Sequence, residues 1–276
     1  MDVAKDAFLD SGGVRIRYIE RGAGDPVVLL HGYGDDIESA WIETGIFEDL
    51  SRDHRLLAFD LRGHGRSAKP HEPEKYGREM ALDALRLMDE RGIGRAHIVG
   101  HSVGGVVTAI LLANEPRRMA SAILIGASGR RSWDDERAYI ARLEAQELEH
   151  EQSYRSMLKR TWPTDEPPPT ERELAAHSKA MVRRGNDPLA HAAMIRARER
   201  ERVSEANLAA SRVPTLAIFG SADGNLERGR SLKAAWPALE LQIVSGATHR
   251  GPRGILHRPE TIALARTFLK KHPIPE

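Results

Sequence analysis

Cysteine is absent from the chain, which excludes disulfides, thiolate nucleophiles and Cys-ligated metals in one step. Long apolar runs are missing too. No stretch approaches the roughly 18 uninterrupted apolar residues of a membrane span, and Met1-Asp2-Val3-Ala4-Lys5-Asp6 has no apolar signal-peptide core behind a basic start. The expectation is a soluble, cytoplasmic protein. Net charge is also lacking: 41 Lys and Arg against 40 Asp and Glu leave a formal +1. No global field gathers nucleic acid or an anionic membrane. The expected partner is therefore a small molecule, taken up by a monomer or small homo-oligomer without metal or organic cofactor.

What the chain does have is material for one large α/β domain, with 276 residues of which 41% are hydrophobic. From Ala7 to Gly129 short β-rich runs alternate with helical stretches, the pattern of a mostly parallel sheet. Phe8–Ser11 and Val14–Ile19 read as a hairpin across Gly12-Gly13. Val27–Leu30, Leu56–Phe59, Ile98-Val99 and Ala122–Ile125 read as buried strands, each closely followed by Gly, Asp or Ser. Helical spacing marks Lys75–Arg91 and Val106–Ala113. Between Arg130 and Arg212 β-branched runs nearly vanish, and Glu, Arg, Ala and Leu dominate. Thr170 with Glu173 forms a capping box, Asp187-Pro188 starts another helix, and Pro167-Pro168-Pro169 divides the segment into two helical pairs. Strands resume at Thr215–Phe219 and Leu239–Val244, before a last helix at about Pro259–Lys271. The domain reading is a core of residues 1–129 and 213–276, with residues 130–212 inserted as a helical cap.

The strongest chemical signal is Gly100-His101-Ser102-Val103-Gly104, followed by Gly105, between a strand and an apolar helical stretch. This is the Gly-x-Ser-x-Gly nucleophile elbow in its required context. The turn puts Ser102 at a helix N-terminus, and the residues two before and two after must be small because strand and helix nearly touch. A second signal is His31-Gly32-Tyr33-Gly34 after Val27–Leu30, in a loop at a strand end where ligands collect. The backbone amides of Tyr33 and Val103 are the expected oxyanion donors. The third, Asp60 to Ser67, is dense in Gly with Asp and Arg and reads as a turn held by its own hydrogen bonds; Asp60 and His64 are structural in this reading.

The remaining catalytic groups follow in the order serine, acid, histidine. Asp223 comes after Thr215–Phe219 and is the acid, with Glu227 as its rival. His249 comes after the strand ending at Val244 and is the base, with His257 as its rival. Candidates for touching substrate are His31, Gly32 and His101 beside the reacting centre, and Trp133, Tyr139 and Trp162 in the insertion. Met157, Leu158, Met181 and Met194 could add apolar lining or simply be the insertion's core.

With these blocks assembled, the chain resembles the α/β-hydrolase superfamily over nearly its whole length, closest in pattern to small bacterial carboxylesterases, enol-lactonases and carbon-carbon bond hydrolases. The resemblance implies an eight-stranded sheet and a helical lid inserted after the sixth strand. Haloalkane dehalogenases and epoxide hydrolases of this layout carry Asp at the elbow, where this chain has Ser102. Proline iminopeptidases usually show Gly-Gly-Ser-Trp-Gly, from which His101 and Val103 depart. The chain also lacks the proline that often follows the acid, having Gly224-Asn225-Leu226 instead. The leading expectation is a carboxylesterase for short to medium acyl esters working through an acyl-enzyme. The alternatives are a carbon-carbon hydrolase or lactonase acting on a ring-cleavage product, and a ligand receptor on the same fold.

Overall fold

The computed structural model describes residues 5–127, 129, 135–198, 203 and 205–275. Its strands are β1 (Ala7–Asp10), β2 (Arg15–Arg21), β3 (Pro26–Leu30), β4 (Arg55–Phe59), β5 (Ala96–His101), β6 (Met119–Ile125), β7 (Thr215–Gly220) and β8 (Glu240–Val244). Its α-helices are α1 (Ile46–Leu50), α2 (Arg78–Glu90), α3 (Val103–Asn114), α4 (Asp135–Gln146), α5 (Arg155–Arg160), α6 (Glu171–Arg183), α7 (Pro188–Ala197), α8 (Glu205–Ala209), α9 (Leu226–Ala235) and α10 (Pro259–Lys271). One eight-stranded sheet runs in the order β1-β2-β4-β3-β5-β6-β7-β8. Strand β2 runs antiparallel to both its neighbours, β1 and β4, and β3 to β8 are all parallel.

Central strands read as continuous apolar runs because helices cover both faces. Alternation sorts each strand's side chains between the two sides. Val27 and Leu29 point into a layer with Trp41, Phe47 and Phe268 under α1 and α10. Val28 and Leu30 point the other way, to Met80, Leu87, Val107, Ile110 and Leu232 on α2, α3 and α9. Register then decides where the loops emerge. Leu30 lies opposite both Phe59 and Gly100, His101 opposite Ile125, Ile125 opposite Ile218, and Gly220 opposite Val244. His31, Asp60, Ser102, Gly126, Asp223 and His249 therefore all leave the sheet at its carboxyl edge.

One helix start differs from the sequence reading. Helix α2 begins at Arg78 rather than Lys75, since a separate turn at Pro73–Lys75 precedes Gly77. Helix α3 begins at Val103, directly after Ser102 as the elbow reading has it, and its first turn carries Gly104 and Gly105, poor helix formers held there by packing against the end of β3 and Ala127. The Thr170 capping box and the Asp187 cap before Pro188 form as read, Asp187 accepting from the Leu189 and Ala190 amides.

Helices α4 to α8 lie between β6 and β7 in the chain and meet the loops at the carboxyl edge. Asn186 Nδ2 donates to the Gly34 carbonyl at 3.2 Å, and the Thr164 amide to the Ala222 carbonyl at 3.2 Å. Arg253 reaches across to Asp165 at 2.8 Å and Glu166 at 2.6 Å. Among the described residues, no helix is long and apolar enough to cross a membrane.

Candidate active site

Ser102 stands between β5 and α3 at φ 51°, ψ −110°, a backbone conformation costly for any residue but glycine. The neighbours enforce it. A Cβ on Gly104 would fall 2.0 Å from the Leu30 carbonyl oxygen, and one on Gly100 would fall 2.3 Å from the Gly104 oxygen. The Ser102 amide donates to Ile125 O at 2.9 Å, and the Gly104 amide to His31 O at 3.0 Å. The turn is thus pinned to β6 and to the end of β3. Among the described residues neither the Val103 nor the Tyr33 amide has a backbone acceptor. Both donors are left without a backbone partner, the first because it opens a helix.

His249 and Asp223 arrive on the loops after β8 and β7. His249 Nε2 lies 3.0 Å from Ser102 Oγ, and its Nδ1 lies 2.9 Å from Asp223 Oδ2. An ionised carboxylate only accepts, so Nδ1 carries the proton and the Nε2 lone pair faces the serine hydroxyl. The His249 and Asp223 side chains are 2% and 0% exposed, which keeps water from competing for the bond between them. Asp223 Oδ1 takes the Asn225 amide at 2.8 Å. Gly126, at the end of β6, leaves the room: a Cβ there would stand 3.1 Å from His249 Nδ1 and 3.2 Å from Asp223 Oδ2. The rivals lie elsewhere. Glu227 is exposed and bound to Arg230 at 2.6 Å, and His257 is exposed before α10.

The loop bearing Tyr33 is braced from behind. Asp60 accepts from the Ile37 amide at 2.9 Å, the Arg66 amide at 2.8 Å and Arg17 at 3.2 Å. His31, expected to touch substrate, is instead fully buried and accepts the Leu61 amide at Nε2, 2.9 Å. A strand-end histidine tying two adjacent loops together looks in sequence like one facing the ligand. The Tyr33 ring packs 4.7 Å from His191, which lies 4.4 Å from His64 and whose Nδ1 is 2.8 Å from the Tyr154 hydroxyl. Burial pushes both histidines down, His191 to about 3, so the cluster is neutral at physiological pH.

Gly32 and His101, also expected as substrate contacts, meet each other and Asp35. A Cβ on Gly32 would fall 2.7 Å from both Asp35 Oδ2 and His101 Nδ1. His101 Nδ1 is 3.6 Å from Asp35 Oδ2, and its buried ring lies 5.3 Å from that of His249. Burial, outweighing the nearby Asp35, lowers His101 and keeps it neutral beside His249. Burial would raise Asp35, but the His101 contact and the charge of Arg250 hold it below the ordinary carboxylate range.

Of the aromatic residues assigned to the insertion, Trp133 lies outside the described residues. Tyr139 projects from α4 and is 56% exposed. Trp162 donates to the Pro167 carbonyl at 3.0 Å and packs edge-on to His177, so it holds the proline turn rather than lining the site. Met157 and Met181 do reach the carboxyl edge: Met157 Sδ lies 3.4 Å from Arg250 Nη1, and Met181 Cε crowds Gly34. The sequence reading missed Asp35, Gly126 and Arg250. Each adjoins a motif or strand end already singled out, so adjacency was the available signal. Among the described residues, no group of three or more His, Asp or Glu side chains is arranged to hold a metal ion.

An open α/β sheet carrying a serine, histidine and aspartate in hydrogen-bonded series at its carboxyl edge defines a class of hydrolase-type scaffold. The chain belongs to the alpha/beta hydrolase fold family, whose sequence profile matches residues 25–249. It is 38% identical over 123 residues, 44% of this chain and 32% of the relative, to the dihydrolipoyllysine-residue acetyltransferase component of the acetoin cleaving system of Cupriavidus necator. It is 32% identical over 126 residues, 45% of this chain and 43% of the relative, to the 2-hydroxy-6-oxo-6-(2'-aminophenyl)hexa-2,4-dienoic acid hydrolase of Metapseudomonas resinovorans. The chain thus spans less than half the length of these curated relatives. Among solved structures, the enol-lactonase of Burkholderia xenovorans LB400 superposes with a TM-score of 0.75 at 22% identity, covering 96% of this chain and 100% of that one. A thermophilic esterase from Thermogutta terrifontis gives 0.75 at 21% identity, covering 98% and 100%. At such identities these two likenesses speak for the fold.

Proposed function

We propose that the protein is a serine hydrolase that cleaves short to medium acyl carboxylic esters through an acyl-enzyme. The observation that carries this reading is the unbroken series Ser102 Oγ, His249 Nε2, His249 Nδ1, Asp223 Oδ2, at 3.0 and 2.9 Å, together with the Val103 and Tyr33 amides, which have no backbone acceptor among the described residues. Ser102 attacks the ester carbonyl while His249 takes its proton at Nε2. Asp223 holds the tautomer and stabilises the imidazolium that forms. The negative charge on the former carbonyl oxygen is received by the Tyr33 and Val103 amides, donors fixed in place before the reaction. His249 then protonates the departing alcohol. Water, deprotonated by the same Nε2, attacks the acyl-serine, releases the acid and restores the serine. The strained turn at Ser102 serves this chemistry by keeping the hydroxyl clear of α3. Residues 130–212 act as the cap over this edge, sized for a compact pocket.

A second reading, cleavage of a carbon-carbon bond in a ring-cleavage product, draws on the partial-length similarity to hydrolases of dienoic acids. It uses the same serine and histidine. The test of the common chemistry is covalent: a fluorophosphonate should add its mass to Ser102 alone, and Ser102→Ala should lower ester turnover by about a million-fold without unfolding the protein. Labelling at a different serine overturns the assignment. Rapid cleavage of a vinylogous diketone with negligible turnover of esters favours the second reading.

A further inference from the structure

Arginines around the site nearly all have a carboxylate. Arg17 has Asp6, Glu38 and Asp60, and Arg62 has Asp83. Arg160 and Arg198 share Glu144. Arg253, in the same loop as His249, takes Asp165 and Glu166. Arg250 is different. It directly follows His249 and is half-buried, yet no carboxylate among the described residues comes within 4.0 Å of its guanidinium. Its Nη2 donates to the Tyr33 carbonyl at 2.8 Å, its Nη1 lies 3.4 Å from Met157 Sδ, and its Nε is buried with no acceptor. Asp35 is near enough to feel this charge but faces His101. A buried guanidinium N–H left without an acceptor is costly. Its planar fork of unused N–H groups matches a carboxylate in shape and charge.

Position gives this unpaired charge a meaning. Tyr33 offers its N–H to the reaction and its carbonyl to Arg250. Standard bond lengths keep the nitrogen and oxygen of one residue within about 3.6 Å, so with the 2.8 Å bond Nη2 lies no more than about 6.4 Å from the Tyr33 amide nitrogen. We propose that Arg250 recognises a carboxylate carried on the acyl part of the substrate, a few carbon atoms from the reacting carbonyl. The preferred substrates are then half-esters or lactones of short dicarboxylic acids. The inference rests on the serine-hydrolase reading above and names the substrate class of that same site. The carboxylate supplies the direct ion-pair partner that no described side chain gives Arg250 within 4.0 Å, and orients the acyl chain with its carbonyl oxygen toward the Tyr33 and Val103 amides.

The experiment compares para-nitrophenyl hemisuccinate with the neutral ester in which an isopropyl group of the same shape replaces the carboxylate, each corrected for spontaneous hydrolysis. The parent protein should favour the acid by about tenfold or more in kcat/KM, chiefly through KM. Arg250→Met should lower that ratio by roughly ten- to a hundredfold, the weight of a charge-assisted hydrogen bond. Arg250→Lys, which keeps the charge but not the fork, should fall between them and guards against a methionine variant that fails to fold. A merely structural arginine would depress both esters alike and leave the ratio where it was. Turnover of the neutral ester with no advantage for the acid, or an unchanged ratio in both variants, overturns the proposal and leaves the hydrolase reading standing. Failure of both esters in the parent overturns the two together.

Discussion

Acid should weaken this protein well before its carboxylates titrate, and His191 is the place to measure it. The residue is fully buried between Tyr33, His64 and Tyr154. Burial holds its folded value at about 3 against an ordinary 6.5. With the folded value depressed, the unfolded chain binds the extra proton between these limits. Stability is therefore complete above pH 6.5 and is lost as pH falls toward 3, at about 1.4 kcal/mol per unit. By pH 5 His191 alone costs about 2 kcal/mol. His97, buried and lowered to about 4 by the same cause, costs a similar amount over that range, and the two together are a large part of the roughly 5–15 kcal/mol typical of a domain. Urea unfolding at pH 7, 6 and 5, followed through the fluorescence of the buried Trp41 and Trp236, measures the slope. His191→Gln, whose amide can still meet the Tyr154 hydroxyl, should shrink the loss between pH 7 and 5 by about 2 kcal/mol. The same loss in parent and variant, or none in either, refutes the argument.

Asp223→Asn should reduce turnover by roughly ten-thousand-fold, because an amide facing Nδ1 favours the wrong tautomer; Glu227→Gln should stay near the parent, and the opposite pattern would reassign the acid. Gly104→Ala should destabilise the fold by more than about 3 kcal/mol, since its Cβ meets a backbone oxygen that has nowhere to go, while Gly94→Ala, with open space around it, should change stability by less than about 0.5 kcal/mol. Thermal unfolding of the two variants decides this, and equal melting temperatures would contradict the packing argument. Across acetyl, butyryl, octanoyl and palmitoyl aryl esters kcat/KM should fall with chain length, gently while the chain fits and steeply afterwards. A maximum at palmitoyl is incompatible with a compact capped pocket.

The strands were legible because continuous apolar runs such as Val27–Leu30 and Ala122–Ile125 leave little choice in a sheet covered on both faces. The meeting of Ser102, His249 and Asp223 was legible because each follows such a run, and parallel register carries the carboxyl ends of β3 to β8 to one edge. Side-chain direction within the helical segment was not legible. Tyr139 and Met157 are both large residues on short helices, and only the tilt of α4 and α5 against the core turns one outward and the other toward Arg250. His31 failed for a related reason: a strand-end histidine can face a ligand or a neighbouring loop, and the Leu61 amide that claims it lies thirty residues away. Asp35 with His101 and Gly126 with His249 are contacts between separate loops, invisible until the strands align.

The loop that carries His249 is fastened to the helical segment twice, by Arg250 against Met157 and by Arg253 against Asp165 and Glu166. The scaffold is therefore less modular than its chain order suggests. Anyone transplanting the helical segment from a relative would cut these moorings and release the loop that carries His249 along with the segment. A graft that retains the residues at 157, 165 and 166, or replaces 250 and 253 together with their new partners, preserves the histidine's aim. One that ignores them returns a folded sheet in which His249 no longer faces Ser102.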